Sequence, residues 1–170
     1  MDWSKAKTIL IITLLITNLV VGGFYIESFK QERLALQAAA DSVISHLHDT
    51  EVEVIAEIPT KPLKLPVLFI NFESSGDAIT EYGKYPIVVS GASNGVPTSA
   101  SAGNVRGKVS SASSAVIRVT KLNPKISSIT DIRMVYWVDR STYSQYGEDT
   151  AFPAWQISTD KGEYYVEALE

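Results

Sequence analysis

The chain has 170 residues, 45% apolar and 20% charged, with a formal charge of −4 and no cysteine. From residue 27 onward, 18 acidic residues stand against 13 basic ones, which excludes the basic field that a nucleic-acid partner requires. Without cysteine a disulfide-stapled domain is also excluded, whereas an exported bacterial protein is compatible.

The apolar content is concentrated at the start. Thr8–Ile26 carries no charge and is long enough, at about 1.5 Å per residue, to cross a hydrocarbon core of about 30 Å. Lys5 and Lys7 precede it and Glu27 follows, so residues 1–7 are expected as a cytoplasmic tail and residues 27–170 as an extracytoplasmic domain. No small-residue cleavage site follows the apolar run, which favours an uncleaved single-pass anchor over a signal peptide. Phe24 and Tyr25 suit the outer membrane boundary and Trp3 the inner one.

Glu32–Leu47 is predicted as a helix with Leu36, Ala40, Val43, Ile44 and Leu47 on one side. Val52, Val54, Ala56 and Ile58 then alternate with Glu51, Glu53, Ile55 and Glu57, the pattern of a half-buried strand ending at Pro59. Val67–Phe72 and Tyr85–Ser90 read as further strands. Residues 90–114 are rich in serine, glycine and alanine, and predict a mobile loop with room for a short helix near its end. Ala115–Leu122 and Ile132–Asp139 are predicted as strands, the second with Ile132, Met134, Tyr136 and Val138 on one face. Trp155–Thr159 and Glu163–Leu169 form a hairpin across Asp160-Lys161-Gly162, with Tyr164 and Tyr165 on opposite faces. The expected class is α+β: a transmembrane helix, then a small domain with one helix packed on a mainly antiparallel sheet.

Catalytic motifs fail on context. Gly91-Ala92-Ser93-Asn94-Gly95 matches a nucleophile elbow, but Val96-Pro97 follows instead of a helix, and both histidines precede the serine. His46 and His48 lie roughly 160° apart on a helix and cannot share a metal ion. Glu148-Asp149 sits in a turn-rich stretch and needs no catalytic role. No cofactor is expected. The polar positions of the apolar run stand out more: Thr13 and Thr17 share one face, Asn18 and Gly22 a second, and such residues mediate helix association in bilayers. Threonine also bonds its own backbone, so partner contact and silent tolerance both stay open. Tyr136, Trp137 and Trp155 could form a surface for a wall polymer or peptide, although large aromatics more often build cores.

The opening MDWSKAKTILIITLLITNL resembles the N-terminus of the YycI (WalI) family. The closing MVYWVDRSTYSQYGEDTAFPAWQISTDKGEYYVEAL is similar to that family's last segment, and EVIAEIPTKPLKLPVLFINFE matches its early strand more weakly. Ala78 through Lys125 lies outside the resemblance, and the chain is shorter than expected for the family. The resemblance implies regulation and not catalysis: an accessory membrane protein that acts with a YycH-like partner on a WalK/YycG-like sensor histidine kinase of a two-component system for cell-wall homeostasis. Thr13, Thr17, Asn18 and Gly22 are then the candidate partner contacts.

Overall fold

The computed structural model describes residues 3–49, 51–61, 63–91, 95–140 and 147–169. Helix α1 runs unbroken over Trp3–Asp49, 47 residues, or about 70 Å at 1.5 Å per residue. The helices expected at 8–26 and 32–47 are therefore one element. No proline or glycine occurs between Glu27 and Gln31 to stop it, and the Ser28 hydroxyl returns to the Tyr25 carbonyl at 3.0 Å. Its first half is long and apolar enough to span a membrane, and none of it is buried by the rest of the chain. Its last turns bury Ala40, Val43 and Leu47 in the domain core, while Ile44, expected on the same side, stays 42% exposed.

Strand β1 (Glu53–Val54) pairs in parallel with β6 (Ser128–Asp139) for two residues only. The ladder stalls because the Ile55 and Ala56 amides both donate to the Ile129 carbonyl. The expected alternation nevertheless continues beyond it, with Ile58 buried and Ile55 exposed. β2 (Lys64–Glu73) is the strand expected at 67–72, extended at both ends, and its inward Leu68, Ile70 and Phe72 are buried. β3 (Glu81–Tyr82) and β4 (Tyr85–Ser90) form a tight hairpin in which Gly83 takes φ +65°, a conformation that favours glycine.

Two expectations fail next. Most of the segment 90–114, expected as a mobile loop, is strand β5 (Val96–Lys108), antiparallel to β2. Its order comes from the main-chain ladder and not from large side chains. The small residues are needed where the strand bulges opposite Val67: a Cβ on Gly103 would lie 3.2 Å from the Val67 carbonyl. Ala115–Leu122, expected as a strand, belongs to helix α2 (Ala112–Leu122). Ser111 caps it, accepting the Ser114 amide at 3.2 Å, and Ala112, Ala115, Val116 and Val119 line one buried face at helical spacing. That cap and period outweigh the β-branched run Val116-Ile117-Arg118-Val119-Thr120.

β6, β7 (Gly147–Thr159) and β8 (Gly162–Glu167) complete an antiparallel meander. The last turn is shorter than expected: Thr159 pairs with Gly162, leaving Asp160-Lys161 as a two-residue connection with Gly162 at φ +129°. The sheet order is β3-β4-β6-β7-β2-β5, with β1 joined to β6 and β8 to β7. Among the described residues only β1 and β4 run parallel to β6, and every other strand pairing is antiparallel. The class is thus α+β, with two helices on the sheet where one was expected.

One face of β6 serves two cores. Ile132 and Met134 join α1, α2, Trp155 and Ile157 in the first; Tyr136 and Val138 join Leu68, Ile70, Phe72 and Ala151 in the second. Each such aliphatic or aromatic side chain contributes about 1.5–3 kcal/mol on burial. The top of α1 is therefore held as part of the first core.

Candidate functional site

In the apolar half of α1 the threonines are satisfied locally. Thr13 Oγ1 donates to the Ile9 carbonyl and Thr17 Oγ1 to the Thr13 carbonyl, each at 2.9 Å. Neither hydroxyl needs a second chain to sit in an apolar medium. Asn18 differs: no hydrogen bond to its carboxamide is present among the described residues, and its donors and acceptor are exposed in the middle of the apolar run. Gly22, one turn on, has nothing within 4 Å of where a Cβ would stand. Together they make a close-approach position beside an unsatisfied amide.

At 3.6 residues per turn, Asn18 and Gly22 lie within roughly 40° of the line through Leu36, Ala40, Val43 and Leu47, while Thr13 and Thr17 lie roughly 100–140° away. The face that docks on the domain therefore continues downward as the Asn18–Gly22 face. The four candidates do not form one surface; two threonines bonded to their own backbone lie on one face, and the unpartnered Asn18 amide with Gly22 on another.

Where α1 meets the domain, Lys108 Nζ lies 3.6 Å from Glu32 Oε1, an exposed pair worth about 0–1 kcal/mol. Beside it a cleft of about 270 Å³ separates Glu32 and Leu36 from Pro59, Lys61 and Leu63, with Trp155 in its wall. Trp155 Nε1 donates to the Ser110 carbonyl at 2.9 Å, fixing the end of β5 against the core.

The aromatic candidates divide as well. Tyr136 and Trp155 are core residues, 1% and 2% exposed. Trp137 lies on the opposite face of the sheet, half-buried, stacked on Tyr165 at 5.8 Å with its Nε1 donating to Ser90 Oγ at 2.8 Å. Tyr164 and Tyr165 take opposite faces as expected, Tyr164 packing on the first core. Beside the stacked pair, Arg133 donates to Gln156, Gln156 to the Tyr165 hydroxyl, and that hydroxyl to Glu163. Burial, then the Glu163 carboxylate, push the Tyr165 phenol up to about 12.

His46 and His48 lie exposed in the last turn of α1. Ala92, Ser93 and Asn94 of the elbow-like motif lie outside the described residues. Glu148-Asp149, expected in a turn, opens β7, and Asp149 faces the buried Arg140 guanidinium at 3.5 Å. That guanidinium also lies 4.0 Å over the Phe72 ring. Composition gave no signal for this group, because Phe72 comes from β2, Asp149 from β7 and Arg140 from just past the end of β6.

Asp160 is the other carboxylate set by its surroundings. Lys161 Nζ lies 2.8 Å away, and Ser127 supplies its hydroxyl at 2.7 Å and its amide at 3.0 Å, joined by the Ser128 amide. The Lys161 ammonium first, then the Ser127 bonds, hold its pKa well below the ordinary 3.8. A folded-state value below the unfolded one means stability present above about pH 4 and lost as pH falls further. Asp160→Asn is expected to lower the melting temperature at about pH 7, with the gap to wild type narrowing in melts taken toward about pH 2.

Comparison of the chain with protein-family models, with curated proteins and with solved structures finds no match.

Proposed function

We propose that the protein is a single-pass membrane accessory protein, N-terminus cytoplasmic and domain outside, that modulates a sensor histidine kinase of the kind implied by the YycI-like end motifs. The observation that carries this reading is the continuity of α1. One helix contains both the apolar span and the residues Ala40, Val43 and Leu47 buried in the domain core. A displacement of the domain then moves the span as a rigid rod, with no hinge to absorb it. The coupling required is modest, about 1–3 kcal/mol between sites, and partners anchored in the same membrane meet at high effective concentration.

Contact with the kinase, or with a YycH-like protein, falls on Asn18 and Gly22, since lipid offers the amide no partner and glycine admits a second backbone. Asn18→Leu and Gly22→Leu are expected to reduce co-purification of the kinase by about threefold to thirtyfold, matching the ~0.6–2 kcal/mol of such contacts. Thr13→Val and Thr17→Val leave it near wild type. Equal loss from both pairs, or none from either, contradicts the assignment.

A further inference from the structure

A second cleft, of about 210 Å³, opens between the β2–β5 ladder and the β3–β4 hairpin. Three cations line it: Lys64 on β2, Arg106 on β5 and Lys84 in the hairpin turn. No acidic residue does, although the chain as a whole is acidic. None of the three has an ion pair among the described residues. Lys84 is held over the Tyr85 ring at 5.3 Å, which keeps its ammonium at the mouth.

Tyr136 forms the base. Its ring is 1% exposed and meets Tyr82 and Tyr85 edge-on at 6.1 and 6.2 Å. Its hydroxyl has no hydrogen-bond partner among the described residues. The hydroxyl is not enclosed but opens at the floor of the cleft, so a donor there, lined by cations, offers a place to an acceptor. Burial pushes the Tyr136 phenol up to about 12, so at neutral pH it donates and does not ionise.

The geometry points to a binding site for a phosphate ester, with the oxyanion between Arg106, Lys64, Lys84 and the Tyr136 hydroxyl. A carboxylate carries one charge for three cations; a phosphate monoester carries up to two and has more oxygens for an arginine fork and a phenol to share. The rings of Tyr82 and Tyr85 offer an apolar wall to the organic part, and the volume limits it to a small group. The phosphate can belong to a soluble ester or to a lipid headgroup. Arg106 and Lys64 sit at the end of the ladder where Lys108 meets Glu32, just beyond the apolar span.

The test is calorimetric titration of the full chain, in nanodiscs of zwitterionic lipid, with glycerol phosphate and with acetate. Wild type is expected to bind glycerol phosphate at least about tenfold more tightly than acetate, and Arg106→Ala and Lys84→Ala each to weaken it about tenfold. Tyr136→Phe removes only the hydroxyl: binding falls about fivefold while the melting temperature without ligand holds or rises. A hydroxyl with a merely structural role would not move the affinity.

Absence of phosphate binding in wild type, affinity unchanged in Arg106→Ala and Tyr136→Phe, or acetate bound as tightly would each overturn the site. A second titration in nanodiscs containing phosphatidic acid, whose headgroup is a phosphate monoester, separates the sources, and this arm alone rests on the membrane reading above. Glycerol phosphate binding suppressed in wild type relative to the zwitterionic discs, with no difference between the two discs in Arg106→Ala, supports the site with a lipid headgroup as occupant. Unaltered binding supports it with a soluble ester.

Discussion

Trp155→Ala is expected to lower the free energy of unfolding by about 3–5 kcal/mol, the range for removing a large buried aromatic from a close-packed core. Three elements depend on this side chain. It lies in the first core with Ala40, Val43 and Leu47 of α1 and with Val116 and Val119 of α2. Its indole N–H also fixes the Ser110 carbonyl, where β5 passes into the α2 cap. Loss of the ring leaves a cavity and an unpaired carbonyl together, and the top of α1 loses part of its seat. Denaturant unfolding of the variant in micelles measures the cost. A loss below about 1 kcal/mol would mean that the core collapses to fill the space, outside the usual range for such truncations.

The second large effect is expected at the Arg140–Asp149 pair. The Arg140 side chain is 3% exposed, so its charge is stabilised by what surrounds it, the Asp149 carboxylate at 3.5 Å and the face of Phe72 at 4.0 Å included. Asp149→Ala keeps the buried guanidinium and removes the carboxylate that faces it at 3.5 Å. The expected cost is about 2–4 kcal/mol, toward the lower end of the range for broken buried pairs because Asp149 is itself 28% exposed. Arg140→Met removes the charge together with its demand and keeps most of the volume, and is expected to cost less than about 1 kcal/mol. Thermal melts of the two variants decide it. If Arg140→Met proves the more damaging, the arginine holds the fold through its hydrogen-bonding reach and not through charge balance.

The parts of the fold legible in the sequence are those in which side-chain pattern and structure coincide. The Ile132–Asp139 alternation, the closing hairpin and the buried face of the helix at 32–47 all rest on apolar periodicity. The failures share a cause. β5 is ordered by its ladder with β2, and Ser99–Ala102 carry no periodicity from which a strand can be read. In α2 the β-branched residues favour a strand, while a single capping serine and four small or branched apolar residues at helical spacing decide otherwise. The continuity of α1 rests on the absence of any breaker at 27–31, which is easily overlooked beside a change from apolar to charged composition.

The candidate site was legible only in part. Asn18 and Gly22 stand out because a polar amide in an apolar run is conspicuous. That Thr13 and Thr17 satisfy themselves requires the i−4 carbonyl geometry. Lys64, Lys84, Arg106 and Tyr136 are far apart in the chain and meet only because the β3–β4 hairpin and the β2–β5 ladder, at opposite ends of the strand order, line one cleft with Tyr136. No local motif announces such a cleft.

The central claim, that the domain acts on the membrane span through one rigid helix, is tested most directly by insertion after Lys30. Four alanines extend the helix and rotate the span by roughly 40° relative to the domain, whereas four glycines cost about 1 kcal/mol each and break the rod. Kinase autophosphorylation is then measured in membranes holding both proteins. Regulation retained with four alanines and abolished with four glycines is the predicted result; full regulation with four glycines would contradict it.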